Sequence, residues 1–296
     1  MALEGTHGLW ADLYSSDILP VDADFTVLGL PFDGLASARQ GASFAPGRIR
    51  FWSRHLTPFS EDRTRLGRVK VCDLGDILIN DVDVDFLRIV DVVAGIPNVL
   101  ITLGGDHSVS IPVIEGQCVR TVGRKLGLLW VDAHPDLCDE FDGSRFSHAC
   151  VMRRALERGI DPTLVCMVGL RSWEDQELEL IEHGGLHVFT ASDVAEQGMK
   201  SVAERVLHVL KDCEAIHISF DIDALDPSAA PGTGIPDYGG LTMREVLTLI
   251  KALKGLPIIG LDVVEVAPPL DSSEATVFAA LKIIMEVVAV IERSKG

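Results

Sequence analysis

Apolar and polar positions along the chain fall into short runs with two different periods. The stretches 25–30, 126–131 and 215–220 are nearly continuous in apolar residues, as in strands buried on both faces. Between such runs, apolar residues recur at three- and four-residue spacing, as over 84–94 and 202–210, the pattern of a helix with one buried face. Read in order, the pattern predicts strands at 25–30, 69–74, 97–103, 126–131, 163–170, 186–189, 215–220 and 257–263. It predicts helices opening at Pro46 and Ser108, and over 84–94, 147–158, 174–183, 202–210, 242–253 and 273–293. Proline suits a first helical turn, because its missing N–H would be unpaired there anyway. A Gly- and Ser-rich loop covers 31–45 and a Pro/Gly loop covers 226–240.

Strand and helix alternate throughout, which argues for an α/β protein with a mainly parallel sheet and helices on both faces. No internal repeat, low-complexity tract or linker interrupts the pattern. One domain over residues 1–296 is therefore expected, with 1–22 as an N-terminal arm packing on the surface.

Composition narrows the function classes. The chain has 296 residues, and 26 Lys and Arg against 44 Asp and Glu give a net charge of −18. Nucleic acid and anionic membrane both attract basic surfaces, so neither is expected as a partner; a cationic substrate is compatible. The six cysteines are scattered with no CxxC pair, which fits reduced thiols inside a cell. No basic segment followed by an apolar one opens the chain, and no run approaches the roughly 18 apolar residues of a membrane span. A cytoplasmic location is expected.

The chemistry gathers at strand ends. The run 126–131 stops at Asp132, His134 and Asp136, whose spacing of two puts them on one side of an extended backbone. His107 follows the strand at 97–103, Asp221 and Asp223 follow 215–220, and Glu265 follows 257–263. Ligands of open α/β sheets bind beyond the carboxyl ends of strands. If these strands are neighbours, two imidazoles and four aspartates meet in one cleft, and so many carboxylates stay ionised together only with cations to offset them. The set has no thiolate and exceeds what one ion needs. Two ions with bridging carboxylates are the natural solution, and hard oxygen with some nitrogen favours Mn²⁺ over Fe, Co, Ni or Zn. Two such ions about 3.5–4 Å apart can hold a hydroxide and aim it at an electrophile.

Gly104-Gly105-Asp106-His107-Ser108, Asp132-Ala133-His134-Pro135-Asp136 and Ser219-Phe220-Asp221-Ile222-Asp223-Ala224-Leu225-Asp226-Pro227 together resemble the three metal motifs of the ureohydrolase (arginase/agmatinase) family, in the family's order. The similarity extends from about Phe25 to the final helix. The resemblance implies a three-layer α/β/α sandwich on an eight-stranded parallel sheet, assembled as a homotrimer or homohexamer. It implies one manganese ion on His107, Asp132, Asp136 and Asp221, and a second on Asp132, His134, Asp221 and Asp223. It also gives His148 a role in proton transfer and Glu265 that of holding the guanidinium. A planar cation with a fork of N–H donors is well matched by a carboxylate, and an imidazole can supply a proton to the departing amine.

Residues outside the motifs bear on the substrate. In this family many arginases carry Asn two positions after the second motif, where this chain has Cys138; after the strand at 163–170 it reads Gly169-Leu170-Arg171-Ser172-Trp173-Glu174, and Arg-Ser resembles agmatinases. The segments 139–148 and 232–241 are also agmatinase-like. The expected reaction is agmatine plus water to putrescine plus urea. Ala149 and Cys150 depart from the commoner His-Gly-Thr pattern, which leaves 4-guanidinobutyrate, arginine and other short guanidino compounds as alternatives. A catalytically silent metal-binding member of the family is a further alternative of a different class.

Overall fold

The structure, a computed structural model, describes residues 8–294. Among these, eight strands form one all-parallel sheet: β1 (Phe25–Gly29), β2 (Val71–Asp76), β3 (Val99–Leu103), β4 (Leu126–Val131), β5 (Val165–Leu170), β6 (His187–Thr190), β7 (Ala215–Asp221) and β8 (Ile258–Val264). Their order across the sheet is β2-β1-β3-β8-β7-β4-β5-β6. The helices are α1 (Ala45–Ser53), α2 (Val82–Ala94), α3 (Ser110–Arg120), α4 (Val151–Glu157), α5 (Leu178–His183), α6 (Ala191–Gln197), α7 (Met199–Leu210), α8 (Met243–Ala252) and α9 (Ala275–Ser294).

Alternation along each strand divides the interior into two cores. Leu129, Val131, Ile218 and Phe220 pack with α1, α7, α8 and α9 on one face. Leu128, Trp130, Leu100 and Leu28 pack with α2, α3 and α4 on the other. This is the expected three-layer α/β/α sandwich, and it explains the unbroken apolar runs: every residue of β4 is buried because both faces are covered.

Topology and register position the site. The chain passes from β3 through α3 to β4, leaving two places between them that β7 and β8 later fill. The strands are level, since Leu103 lies beside Val263, Val263 beside Phe220, and Phe220 beside Val131. The four segments that carry the suspect residues therefore leave the sheet side by side at one height, at a switch in strand order.

Several local expectations are revised. The expected first helix after β6 begins earlier: α6 precedes α7, separated by Gly198 at φ +79°. The missed signal is a capping box in which Thr190 and Asp193 satisfy each other's backbone N–H groups. β2 starts and ends two residues later than expected, at Val71 and Asp76, where Arg50 pairs with both Asp73 and Asp76. Within the expected surface arm, Trp10 and Leu13 are buried, and the Trp10 indole N–H donates to Asp73 Oδ2 at 2.9 Å; residues 1–7 lie outside the described part of the chain. Among the described residues no helix is long and apolar enough to cross a membrane.

Candidate metal centre and active-site cleft

The end of β3 meets the loop after β1 at close range. Gly105 is required there, because a Cβ at that position would stand 1.6 Å from the Phe32 carbonyl oxygen. The approach lets the Asp106 N–H donate to that oxygen at 2.8 Å, and the Gly105 carbonyl accept the Glu265 N–H, also at 2.8 Å. Asp106 accepts from the backbone N–H groups of Leu35 (2.9 Å) and Ser108 (3.0 Å). It thus fastens the loop and the turn carrying His107, rather than facing the cleft.

His107 Nδ1 lies 3.1 Å from Asp132 Oδ2, 3.2 Å from Asp136 Oδ2 and 3.1 Å from Asp221 Oδ2. His134 Nδ1 lies 3.2 Å from Asp223 Oδ2 and 3.6 Å from Asp132 Oδ1. All six expected metal-ligand side chains are therefore drawn into one cluster. Two groups of donors able to share an ion stand out, His107 with Asp132 and Asp136, and Asp132 with His134 and Asp223. Asp132 is common to both. Asp221 joins the His107 side, while its Oδ1 accepts the Asp223 N–H at 2.8 Å.

The donor set fits divalent cations. His107 Nδ1 and Asp132 Oδ2 are buried and have no hydrogen-bond partner; their 3.1 Å separation is proximity without hydrogen-bond alignment. Buried polar atoms in that state are costly unless something else binds them. Burial pushes the Asp132 carboxyl up to about 6, aided by Asp223 and Asp136, and burial with Asp223 and Asp132 pushes Asp221 upward too. Burial would lower His134, but the charge of Asp223 and contact with Asp132 outweigh it and raise the ring to about 12. Without cations the cluster holds protons, which divalent ions would displace on binding.

The two remaining expected residues meet above the cluster. His148 opens a single 3₁₀ turn capped by Ser147, and its Nδ1 lies 3.1 Å from Glu265 Oε1 while its Nε2 lies 2.8 Å from Ser37 Oγ. Glu265 Oε1 also accepts the His107 backbone N–H at 2.9 Å. Glu265 and Asp136 both adopt left-handed backbone, at φ +58° and +51°. That conformation costs a residue with a Cβ on the order of 1–2 kcal/mol, and it turns each carboxylate into the cleft instead of along the strand direction.

The cleft encloses about 180 Å³ and its walls include Ser37, Phe141, Ser172, Trp173, Glu174 and Ile235. Among the described residues no Lys or Arg lines it. Phe141, Ser172, Trp173, Glu174 and Ile235 fall in the segments 139–148, 169–174 and 232–241 that the sequence marks as bearing on the substrate, while Ser37 comes from the loop after β1. Arg171, beside Ser172, is turned away, with its guanidinium on the carbonyls of Gly169, Ala224, Asp223 and Asp237. Glu177 uses both oxygens on the N–H groups of Leu137 and Glu174, and its burial pushes the carboxyl up to about 7. Cys138 and Cys150 are fully buried, and burial raises the Cys150 thiol to about 12, so neither is a nucleophile. Asp226 accepts from the N–H groups of Ser228 and Gly239, both at 2.9 Å, and closes the 226–240 loop.

Comparison with known proteins adds a lineage to this geometry. The chain is 32% identical to the agmatinase of Salmonella dublin over 287 residues, covering 93% of this chain and 90% of that protein. It is 31% identical to the guanidinobutyrase of Pseudomonas aeruginosa over 278 residues, covering 90% and 86%. The crystal structure of the agmatine ureohydrolase of Thermoplasma volcanium superposes with a TM-score of 0.87 at 28% identity, over 100% of this chain and 96% of that one. Residues 23–289 match the arginase-family profile, a span that holds every strand of the sheet and every side chain of the cluster; this chain belongs to the arginase family.

Proposed function

We propose that this arginase-family enzyme hydrolyses agmatine to putrescine and urea, with two divalent ions held by His107, Asp132, Asp136 and Asp221 on one side and by Asp132, His134, Asp221 and Asp223 on the other. The observation that carries the reading is a cleft with six convergent donors at its floor and no Lys or Arg among the described residues of its walls. Bound there, the ions supply Lewis acidity that makes water nucleophilic at neutral pH. Mn²⁺ suits a set of carboxylates with two imidazoles.

Glu265 offers the guanidinium an acceptor. Its Oε1 is taken by His107 and His148, which leaves Oε2 for a guanidinium N–H. As the water oxygen joins the guanidinium carbon, the bond from that carbon to the substrate's alkyl-bearing nitrogen breaks, and His148 provides the proton this amine needs to depart. The far end of agmatine is an ammonium, for which Glu174 and the Trp173 ring at the wall are suitable company.

The similarity to a guanidinobutyrase supports a second reading. The carboxylate of 4-guanidinobutyrate would meet Glu174 and no Lys or Arg among the described lining residues, so agmatine is preferred. Arginine is disfavoured because Cys138, in place of the Asn of many arginases, is buried away from the cleft. The six unpaired cysteines support a reducing, cytoplasmic compartment. One continuous sheet from Phe25 to Val264 supports a single domain.

A urea-release assay on Mn²⁺-loaded protein, with agmatine, 4-guanidinobutyrate and arginine side by side, tests the proposal. Agmatine giving the highest kcat/KM is the expected result. Preference for 4-guanidinobutyrate would overturn the substrate, and no urea from any of them would overturn the enzyme reading.

A further inference from the structure

We propose that Asp262, acting through Ser219, is a positioning residue that directs the His107 imidazole at the ion on its side of the cluster; this rests on the metal reading above. His107 Nε2 lies 2.9 Å from Ser219 Oγ, and the Ser219 hydroxyl donates to Asp262 Oδ1 at 2.6 Å. The other Asp262 oxygen lies 2.9 Å from His217 Nε2, and His217 Nδ1 lies 3.4 Å from the Gln117 amide nitrogen. All five side chains are buried.

The direction of each bond follows from what each group can do. An ionised carboxylate only accepts, so Ser219 and His217 both donate to Asp262. With its proton given to Asp262, the Ser219 oxygen accepts from His107, whose N–H must then sit on Nε2. In the neutral ring that a metal ligand requires, this leaves the lone pair on Nδ1, which faces Oδ2 of Asp132, Asp136 and Asp221 and is matched by no hydrogen bond. A lone pair confronting three carboxylate oxygens is repulsive by itself and attractive around a cation. Trp130 fixes the plane of the ring, stacked on His107 at 4.3 Å and 5°, and Ser219 fixes its rotation within that plane. The sheet builds the array: Ser219 sits beside both Trp130 and Asp262 in register, and His217, Ser219 and Asp221 share one side of β7.

Calorimetric titration of the metal-stripped full chain with Mn²⁺ alone tests this. The unsubstituted chain is expected to take up two ions in resolvable steps. Ser219→Ala is expected to weaken one step by about 10–100-fold while the other moves less than about threefold, as for loss of a group that orients a ligand. Ser219→Thr keeps the hydroxyl and should restore the lost step. Asp262→Asn keeps the shape but sets an N–H against a donor, and should behave as Ser219→Ala does; it carries the comparison if the alanine variant does not fold. Both steps unchanged, or both weakened equally in Ser219→Ala and Asp262→Asn, would overturn the proposal, because a purely structural array does not favour one ion. If the unsubstituted chain takes up no ions, the metal reading fails and this inference falls with it.

Discussion

Burial would draw the His148 imidazole below its ordinary pKa, but the hydrogen bond and charge of Glu265 outweigh it and hold the ring at about 9. The metal-free protein should therefore carry a protonated His148 at neutral pH. Glu265→Gln removes the largest influence opposing burial and leaves only the charges of Asp136 and Asp106, so the His148 pKa, followed by its ring proton shifts in an NMR titration, is expected to fall. The sign for stability follows. A folded pKa above the unfolded value stabilises the fold fully below pH 6.5, and that contribution is lost as pH rises through about 9. A substituted protein that still titrates near 9 would show that Glu265 is not the cause. The cluster makes a second prediction at this scale. Asp132 is the donor common to both groups among the described residues, so Asp132→Asn should abolish uptake of both ions. Asp136→Asn should spare the ion beside His134. Both should lower urea release by at least about 100-fold, with metal content per chain as the direct measurement.

Two loops form one wall of the cleft, and they depend on a few polar fastenings. Arg39 donates through Nε to the Gly234 carbonyl at 3.0 Å and through Nη2 to the Thr233 carbonyl at 2.7 Å. It thereby joins the 31–45 loop, which carries Ser37, to the 226–240 loop, which carries Ile235. Arg39→Ala is expected to leave the thermal midpoint nearly unchanged while raising KM several-fold, since the buried sheet does not need this link. An unchanged KM would mean that the wall keeps its shape without it. Gly105 is the opposite case. Gly105→Ala forces backbone against backbone between β3 and the 31–45 loop, and should cost at least about 2 kcal/mol in denaturant unfolding. Wild-type stability in that variant would contradict the close approach.

For the molecule as a whole, folding brings carboxylates together that repel one another, and bound ions should therefore be a large part of its stability. Saturation at 100 times Kd adds about 2.7 kcal/mol per ion. Stripping with a chelator should lower the melting temperature, and added Mn²⁺ should restore it in a concentration-dependent way; a midpoint insensitive to chelator would sink the metal centre. Phe44 and Phe51 stand exposed at the two ends of α1 and Phe278 near the start of α9, and Leu78, Val84 and Leu87 lie exposed around α2. A homotrimer or homohexamer that covers them, as the family resemblance leads one to expect, should return three or six times 32.0 kDa in light scattering; a mass of one chain would overturn it.

The strands and most helices could be read from the chain because full burial and helical periodicity are written in the order of residues. The acids and histidines at four strand ends were equally plain, since Asp132, His134 and Asp136 interrupt an apolar run abruptly. Elements opened by single 3₁₀ turns, and the short α6, were blurred because capping at Thr190 involves only a few residues and leaves little periodicity. Sequence alone left open which strands are neighbours. Filling the places between β3 and β4 with β8 and β7 decided that His107, Asp132 and Asp221 lie within about one hydrogen-bond length of each other. The joining of the cleft walls and the array from Gln117 to His107 were likewise beyond sequence, because their partners lie far apart along the chain and only sheet register sets them in contact.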